Sequence, residues 1–339
     1  MKEKARWWLV LAVVGFVVGS CAGSNGAGST DARDAAFDAA APDVSEAQGL
    51  DDGHGSDADS VEADAVTPFD RAACLVDPAC GRLMVAAHRG HHAHLPENSI
   101  AGLRSAARLG VDFVEIDVRH TADGALVLMH DSDVDRTTDG TGAVDGLTLA
   151  QIEALTLDGT DPTDPEEARV PTFEQALEAA REEGLLLYVD QKTSFTSDVI
   201  AAIAAHDAWN LALVRDDLIV VADMVEDEPR LLVMPAIEGP SGFALAQSLI
   251  APLHIVEIAG GVDDPDLVAA IRAAGVKVQQ DMLGPADLLA SIGNYSGWKR
   301  AIDAGVSLPQ TDFPDRLVRA AASFNETGEF PASGPSAAE

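Results

Sequence analysis

From Leu83 onward the chain repeats one unit: a short apolar run, then an Ala/Leu-rich segment with amphipathic spacing. That alternation requires strands buried on both faces by intervening helices, which makes the sheet largely parallel. The runs are "LMVAAH", "FVEIDV", "ALVLMHD", "LLLYVDQK", "LIVVAD", "RLLVMPA", "HIVEIAG", "VKVQQDM" and "VSLPQTD". The segments "SIAGLRSAARLG" and "TFEQALEAAREEG" place Ala and Leu at helical spacing and stop at glycine. Leu83 to about Asn325 also fits the roughly 250 residues of a (β/α)8 TIM barrel, which is the predicted fold. A doubly wound open sheet would need a Gly-rich nucleotide loop after the first strand, and none is present. Nine runs are one too many, so one of the later runs is expected to be an edge segment or a loop. Only a few residues around Asp123-Gly124 separate "FVEIDV" from "ALVLMHD". By local rules that link is a hairpin; were the two strands parallel neighbours, it would run back extended and leave that edge without a helix.

The amino end has a different character. Lys2, Lys4 and Arg6 precede an apolar run from Trp7 to Val18, which meets Val18-Gly19-Ser20-Cys21. This is the layout of a bacterial export signal, and the cysteine after the small pair resembles a lipobox with cleavage before Cys21 and acylation of that residue. The run is shorter than the ~20 residues a spanning helix needs, which weighs against a single-pass anchor. Residues 1–20 are therefore expected to be a lipoprotein signal peptide. Residues 21–66, rich in Asp, Ala, Gly and Ser, are an acidic tether that cannot offset the entropy of ordering. The barrel domain is expected over 67–325, with a disordered tail over 326–339. The protein is thus read as exported and lipid-anchored in the cell envelope, facing the periplasm or the cell surface. Its net charge of -34 argues against a nucleic-acid partner, and no protein partner is expected. With Cys21 acylated, Cys74 and Cys80 remain, and in an oxidising compartment their close spacing suggests one local disulfide.

Polar residues interrupt the apolar runs at particular places. His88-Arg89 ends the first, Glu115 and Asp117 sit within the second, His130-Asp131 ends the third, and Asp190 with Lys192 ends the fourth. In a parallel barrel the carboxyl ends of the strands converge on one face, where catalytic groups collect. Glu115 and Asp117 are two apart on a strand and share a face. Buried together they repel, and a divalent cation would relieve that repulsion. Asp190 completes an all-oxygen set suited to one hard ion, Mg2+ or Ca2+. His88 and His130 suit an acid and base pair, because an imidazole titrates near neutral pH. Arg89 and Lys192 supply positive charge for an anionic substrate, an arginine fork matching phosphate oxygens.

Together "HRG", "LPENS", "GVDFVEIDVRHTADGALVLMHDSDVDRTTDGTG", "VPTFEQAL" and "GVSLPQTDFP" resemble the glycerophosphodiester phosphodiesterase family from about His88 to Pro314. The resemblance implies a (β/α)8 barrel that uses one divalent cation to hydrolyse glycerophosphodiesters to an alcohol and glycerol 3-phosphate. On matching positions His88 and His130 are the acid/base pair and Glu115 and Asp117 metal ligands. The family's third ligand is usually a glutamate in Glu-x-Lys, where this chain has Asp190-Gln191-Lys192. Asp-x-Lys-Thr is also similar to the venom sphingomyelinase D enzymes, which makes lysolipid cleavage of the lysophospholipase D or sphingomyelinase D kind the alternative activity. A barrel that has lost its chemistry and captures lipid head groups is the competing class. Glu97 and Asn98 match the family's Pro-Glu-Asn turn and are expected to cap the following helix and orient the site. His91, His92 and His94 fall in the variable loop above it, open to solvent, substrate or adventitious transition metal.

Overall fold

A computed structural model describes residues 69–158, 168–259, 261 and 264–335. The expected signal peptide, Cys21 and the whole of the tether lie outside these residues. Strand β1 (Ala86–Ala87) pairs in parallel with β2 (Phe113–His120) on one side and β9 (Leu308–Thr311) on the other. Between them β4 (Leu186–Gln191), β5 (Ala212–Asp217), β6 (Leu232–Ile237), β7 (Ile255–Ile258) and β8 (Lys277–Asp281) complete a closed ring of eight parallel strands. The ring closes because consecutive crossover helices cover its outside, among them α2 (Ile100–Leu109) and α4 (Phe173–Glu183). Both helices stop at glycines in the left-handed region, Gly110 and Gly184, as their sequences predict. At its start α4 carries a capping box, Thr172 with Gln175. Phe113, Phe173, Leu177 and Leu187 are fully buried between ring and helices, each contributing about 1.5–3 kcal/mol of transfer free energy.

Two strand assignments differ from expectation. Two of the nine runs lie outside the ring, the third and one of the later ones: β3 (Leu126–Leu128) pairs antiparallel with the end of β2, Val118 opposite Leu128 and His120 opposite Leu126. The local rule of a tight hairpin holds, and the true crossover helix is α4, so no barrel edge lacks one. Val127 of β3 and residues after the hairpin form a small cluster of their own, in which Val127, Met129, Val134, Val144, Ile152, Leu157 and Val170 are buried together. The run "LIVVAD" is helix α6 (Leu218–Asp227), whose buried Val221 and Met224 are three apart, and the strand lies just before it in β5. That strand was hidden because its apolar stretch ends in Arg215, Asp216 and Asp217; Arg215 turns inward to an ion pair with Glu257 on β7.

The expected disordered tail is also corrected. Helix α11 (Pro314–Thr327) continues into a segment in which Phe330 is 2% exposed, and the Ala332 carbonyl accepts from the Tyr295 N–H at 2.9 Å. Burial of that ring and these backbone bonds give residues 326–335 a defined structure; residues 336–339 lie outside the described residues. At the amino end of the ring, Cys74 on α1 (Arg71–Val76) is bonded to Cys80, and Lys277 at the start of β8 donates to the carbonyls of Asp77 and Cys80. The disulfide segment therefore covers the face opposite the strand ends that carry the polar residues.

Candidate active site

Strand period and register assemble the carboxylates. Glu115 and Asp117 share the inner face of β2, and Asp117 is in register with Asp190 on β4. One oxygen from each of the three lies within 4.8 Å of the others. Burial, then Asp117 and Asp190, push the Glu115 carboxyl well above its usual range. Its Oε2 accepts the Arg89 N–H at 2.9 Å. Lys192 Nζ donates to Asp190 at 2.7 Å and stands 3.3 Å from Asp117. Burial works against that ammonium, but Asp190 and Asp117 outweigh it and raise its pKa. Crowded, desolvated oxygen ligands of one charge, with an ammonium drawn onto two of them, fit a hard divalent cation.

Asp117 is fixed from a second direction. The Asn98 amide donates to Asp117 Oδ2 at 2.7 Å, while the Asp117 N–H donates to Asn98 Oδ1 at 3.0 Å. Asn98 and Arg89 both adopt positive φ, 53° and 51°, at the two ends of one loop that is closed by the Asn98 N–H on the Arg89 carbonyl. Such backbone is costly for a side-chain-bearing residue and persists where the surroundings enforce it. Gly90 between them has φ 88°, and a Cβ there would come within 3.0 Å of the Gly102 carbonyl carbon. The helix cap expected at Glu97-Asn98 belongs instead to Ser99, whose hydroxyl accepts the Gly102 N–H. Asn98 is spent on Asp117 and Glu97 on two arginines.

The two histidines are held alike. His88 Nδ1 lies 2.7 Å from Asp312 Oδ1, and His130 Nδ1 lies 2.7 Å from Asp131 Oδ1. Hydrogen bonds from Arg136 first, then His130, hold Asp131 at about 2. At Asp312 burial opposes ionisation, yet hydrogen bonds from His88 and His92 bring it below the usual carboxylate range. Ionised carboxylates only accept, so each Nδ1 carries a proton and each Nε2 is left to exchange one with a ligand in the mouth. His130 does not end a barrel strand. It reaches the mouth because β3 runs back along β2: the Met129 N–H donates to the Asp117 carbonyl at 3.0 Å, and Arg119 grips the His130 carbonyl.

Arg136 joins the two halves of the mouth. Its guanidinium binds Asp131 at 2.7 Å and takes both oxygens of Glu97 at 2.8 Å, while Glu97 also accepts from Arg89 at 3.1 Å. Sequence reasoning missed Asp312, Arg136, Arg215 and Glu257. Asp312 alone left a signal, as the polar residue ending the last strand in "PQTDFP". Of the loop histidines, only His92 reaches this assembly, its Nε2 being 3.1 Å from Asp312 Oδ1; His91 pairs with Ser105.

Residues 88–217, which contain both histidines and all three carboxylates, match the Glycerophosphoryl diester phosphodiesterase family. That stretch of the chain is similar to this family. The glycerophosphodiester phosphodiesterase of Bacillus subtilis is 26% identical over 276 residues, a match that covers 74% of this chain and 90% of that protein. Glycerophosphodiester phosphodiesterase 1 of Bos taurus is 40% identical over 127 residues, which is 37% of this chain and only 38% of that relative's length. Among solved structures, the glycerophosphodiester phosphodiesterase from Agrobacterium tumefaciens superposes with a TM-score of 0.55 at 26% identity, covering 70% of this chain and 99% of that one. The dense part of the likeness thus coincides with the part of the barrel that carries the carboxylates and histidines.

Proposed function

We propose that this protein hydrolyses glycerophosphodiesters to an alcohol and glycerol 3-phosphate, with His88 and His130 as acid and base. The observation that carries the reading is the joining of the two kinds of group. The backbone N–H next to His88 is bonded to Glu115, and the residue before His130 is bonded to the Asp117 carbonyl. Both imidazoles are thereby tied to the strand that bears the carboxylates.

One Nε2 takes the proton of the attacking hydroxyl, and the other imidazole protonates the departing alcohol. The Nδ1–H bonds to Asp312 and Asp131 stabilise whichever ring becomes cationic. The nucleophile is the neighbouring glycerol hydroxyl, which forms a cyclic phosphate that water then opens. Arg89 and Lys192 meet the phosphate charge. Glu115, Asp117 and Asp190 would hold a single Mg2+ or Ca2+, which when bound supplies charge neutralisation at a nonbridging phosphate oxygen. Acylation at Cys21 would place the barrel in the cell envelope beside lipid-derived substrates; the signal-like amino end supports this.

The test follows glycerophosphocholine by phosphorus NMR with chelated full-length protein, then with Mg2+ or Ca2+ restored. Release of glycerol 3-phosphate only after metal addition, lost in H88A, supports the reading. Turnover indifferent to chelation, or undiminished in H88A, would overturn it. Cyclic phosphate released only from lysolipids would move the substrate to that class.

A further inference from the structure

Asp312 accepts from two imidazoles at one oxygen, His88 Nδ1 at 2.7 Å and His92 Nε2 at 3.1 Å. The proposed hydrolysis uses the first of these contacts and has no need of the second. The two rings meet edge to face with centroids 6.1 Å apart, so both nitrogens converge on the carboxylate from different directions. All three ligand atoms fall within 4.8 Å of one another, one of two such groups among the described residues. This group differs in chemistry from the carboxylate set, since two nitrogens and one oxygen suit a borderline ion better than Mg2+ or Ca2+.

We infer that His88, His92 and Asp312 form a second cation site selective for Zn2+ or a similar transition-metal ion, and that its occupancy inhibits the enzyme. Zinc binds imidazole nitrogen and carboxylate oxygen at about 2.0–2.2 Å, which sets ligand atoms in a tetrahedron about 3.3 Å apart. The contacts to Asp312, 2.7 and 3.1 Å, would open to about that spacing on binding. Side-chain exposures of 14% for His88, 28% for His92 and 35% for Asp312 give an ion access and leave room for a water as fourth ligand. Asp312 is pre-positioned from behind, its N–H donating to the buried Asp287 at 2.7 Å.

On binding, the Nδ1 proton of His88 passes to solvent and the nitrogen lone pair forms the bond to zinc. His88 then has a dication at Nδ1 where a carboxylate stood, and its Nε2 becomes a poor proton acceptor. The same substitution of partners leaves the carboxylate site untouched. Sensitivity to zinc would thus come from His92, a loop residue that shares Asp312 with His88.

The inhibitory part rests on the acid/base role proposed for His88; the binding part does not. Full-length protein held in excess Mg2+ or Ca2+ to fill the carboxylate site is titrated with Zn2+ by calorimetry, and the bound ion is examined by X-ray absorption. One zinc per chain with two imidazoles in its shell is expected, and H92A should weaken binding at least about 10- to 100-fold. H94A, two residues along the loop from His92, should bind as the wild type. Equal affinity in H92A, or an all-oxygen shell, would overturn the site. Turnover of the wild type should fall with zinc, while H92A, measured against its own zinc-free rate, resists. Zinc that binds through His92 without slowing turnover would leave the site standing and overturn the role given to His88.

Discussion

Asp312 Oδ1 stands 2.7 Å from Nδ1 of His88, across 224 residues of sequence and on the far side of the barrel's closing seam. The carboxylate is fixed by its own N–H on Asp287, which also accepts from Thr311 and from the indole of Trp298 at 2.8 Å. With His88 in the acid/base role proposed for it, Asp312 is a positioning residue that selects its tautomer and steadies its cationic form.

Asp312→Asn should lower kcat by about 100-fold or more with KM changed only a few-fold, since a mis-set imidazole harms the transition state and not substrate binding. Steady-state kinetics on a glycerophosphodiester check this. A rise in KM at constant kcat would assign Asp312 to binding instead.

The partner pair predicts a pH effect. Asp131 sits at about 2, lowered by Arg136 and His130. A depressed acid stabilises the fold above its unfolded pKa, about 3.9, and the contribution is lost as pH falls through the folded value. Asp131→Asn should therefore be less stable than wild type at pH 7, and the gap should close between about pH 4 and about pH 2. Denaturant midpoints measured across that range decide it; a gap independent of pH would mean that the loss is one of packing.

The parts of this site legible in sequence are those fixed by local periodicity. Glu115 and Asp117 share a face because a strand has period two, and His88 and Asp190 end strands that are plainly apolar. Partners brought by closure of the ring leave no local trace: Asp312 meets His88, and Glu257 meets Arg215, only once distant strands are in place. The same ion pair hid β5, because a charge that is satisfied inside a barrel reads as a loop in one dimension. His130 was identified with the wrong scaffold, since an antiparallel return along β2 and a parallel strand deliver a residue to the same rim.

Asn98 supports a further prediction. Its amide satisfies both the carboxylate and the N–H of Asp117, and it does so from a strained backbone at φ 53°. Asn98→Ala keeps the strain and orphans buried polar groups, costing about 1–3 kcal/mol. Cation affinity should fall with it, because Asp117 loses its orientation. Chemical denaturation and cation titration of the variant measure the two losses. A variant as stable as wild type would show that the loop relaxes to satisfy Asp117 by another route.

Glu115 is 2% exposed and its carboxyl is pushed well up by burial, Asp117 and Asp190. A native acid that holds its proton more tightly than the unfolded one loses stability as pH rises above about 4. Chelated wild type should thus be less stable at pH 8 than at pH 5 through this group, and Glu115→Gln should flatten that slope and raise the melting temperature at pH 8. Adding Mg2+ or Ca2+ at 100 times its Kd should stabilise wild type by about 2.7 kcal/mol, or about 5–10 °C, by mass action. The increment should shrink by at least half in Glu115→Gln, which lacks one anionic ligand. Differential scanning calorimetry with and without cation, at both pH values, reads all four quantities. A wild type unmoved by either cation would remove the metal from this cluster. A chelated Glu115→Gln that melts below wild type at pH 8 would show instead that Arg89 and Lys192 already neutralise the three acids without one.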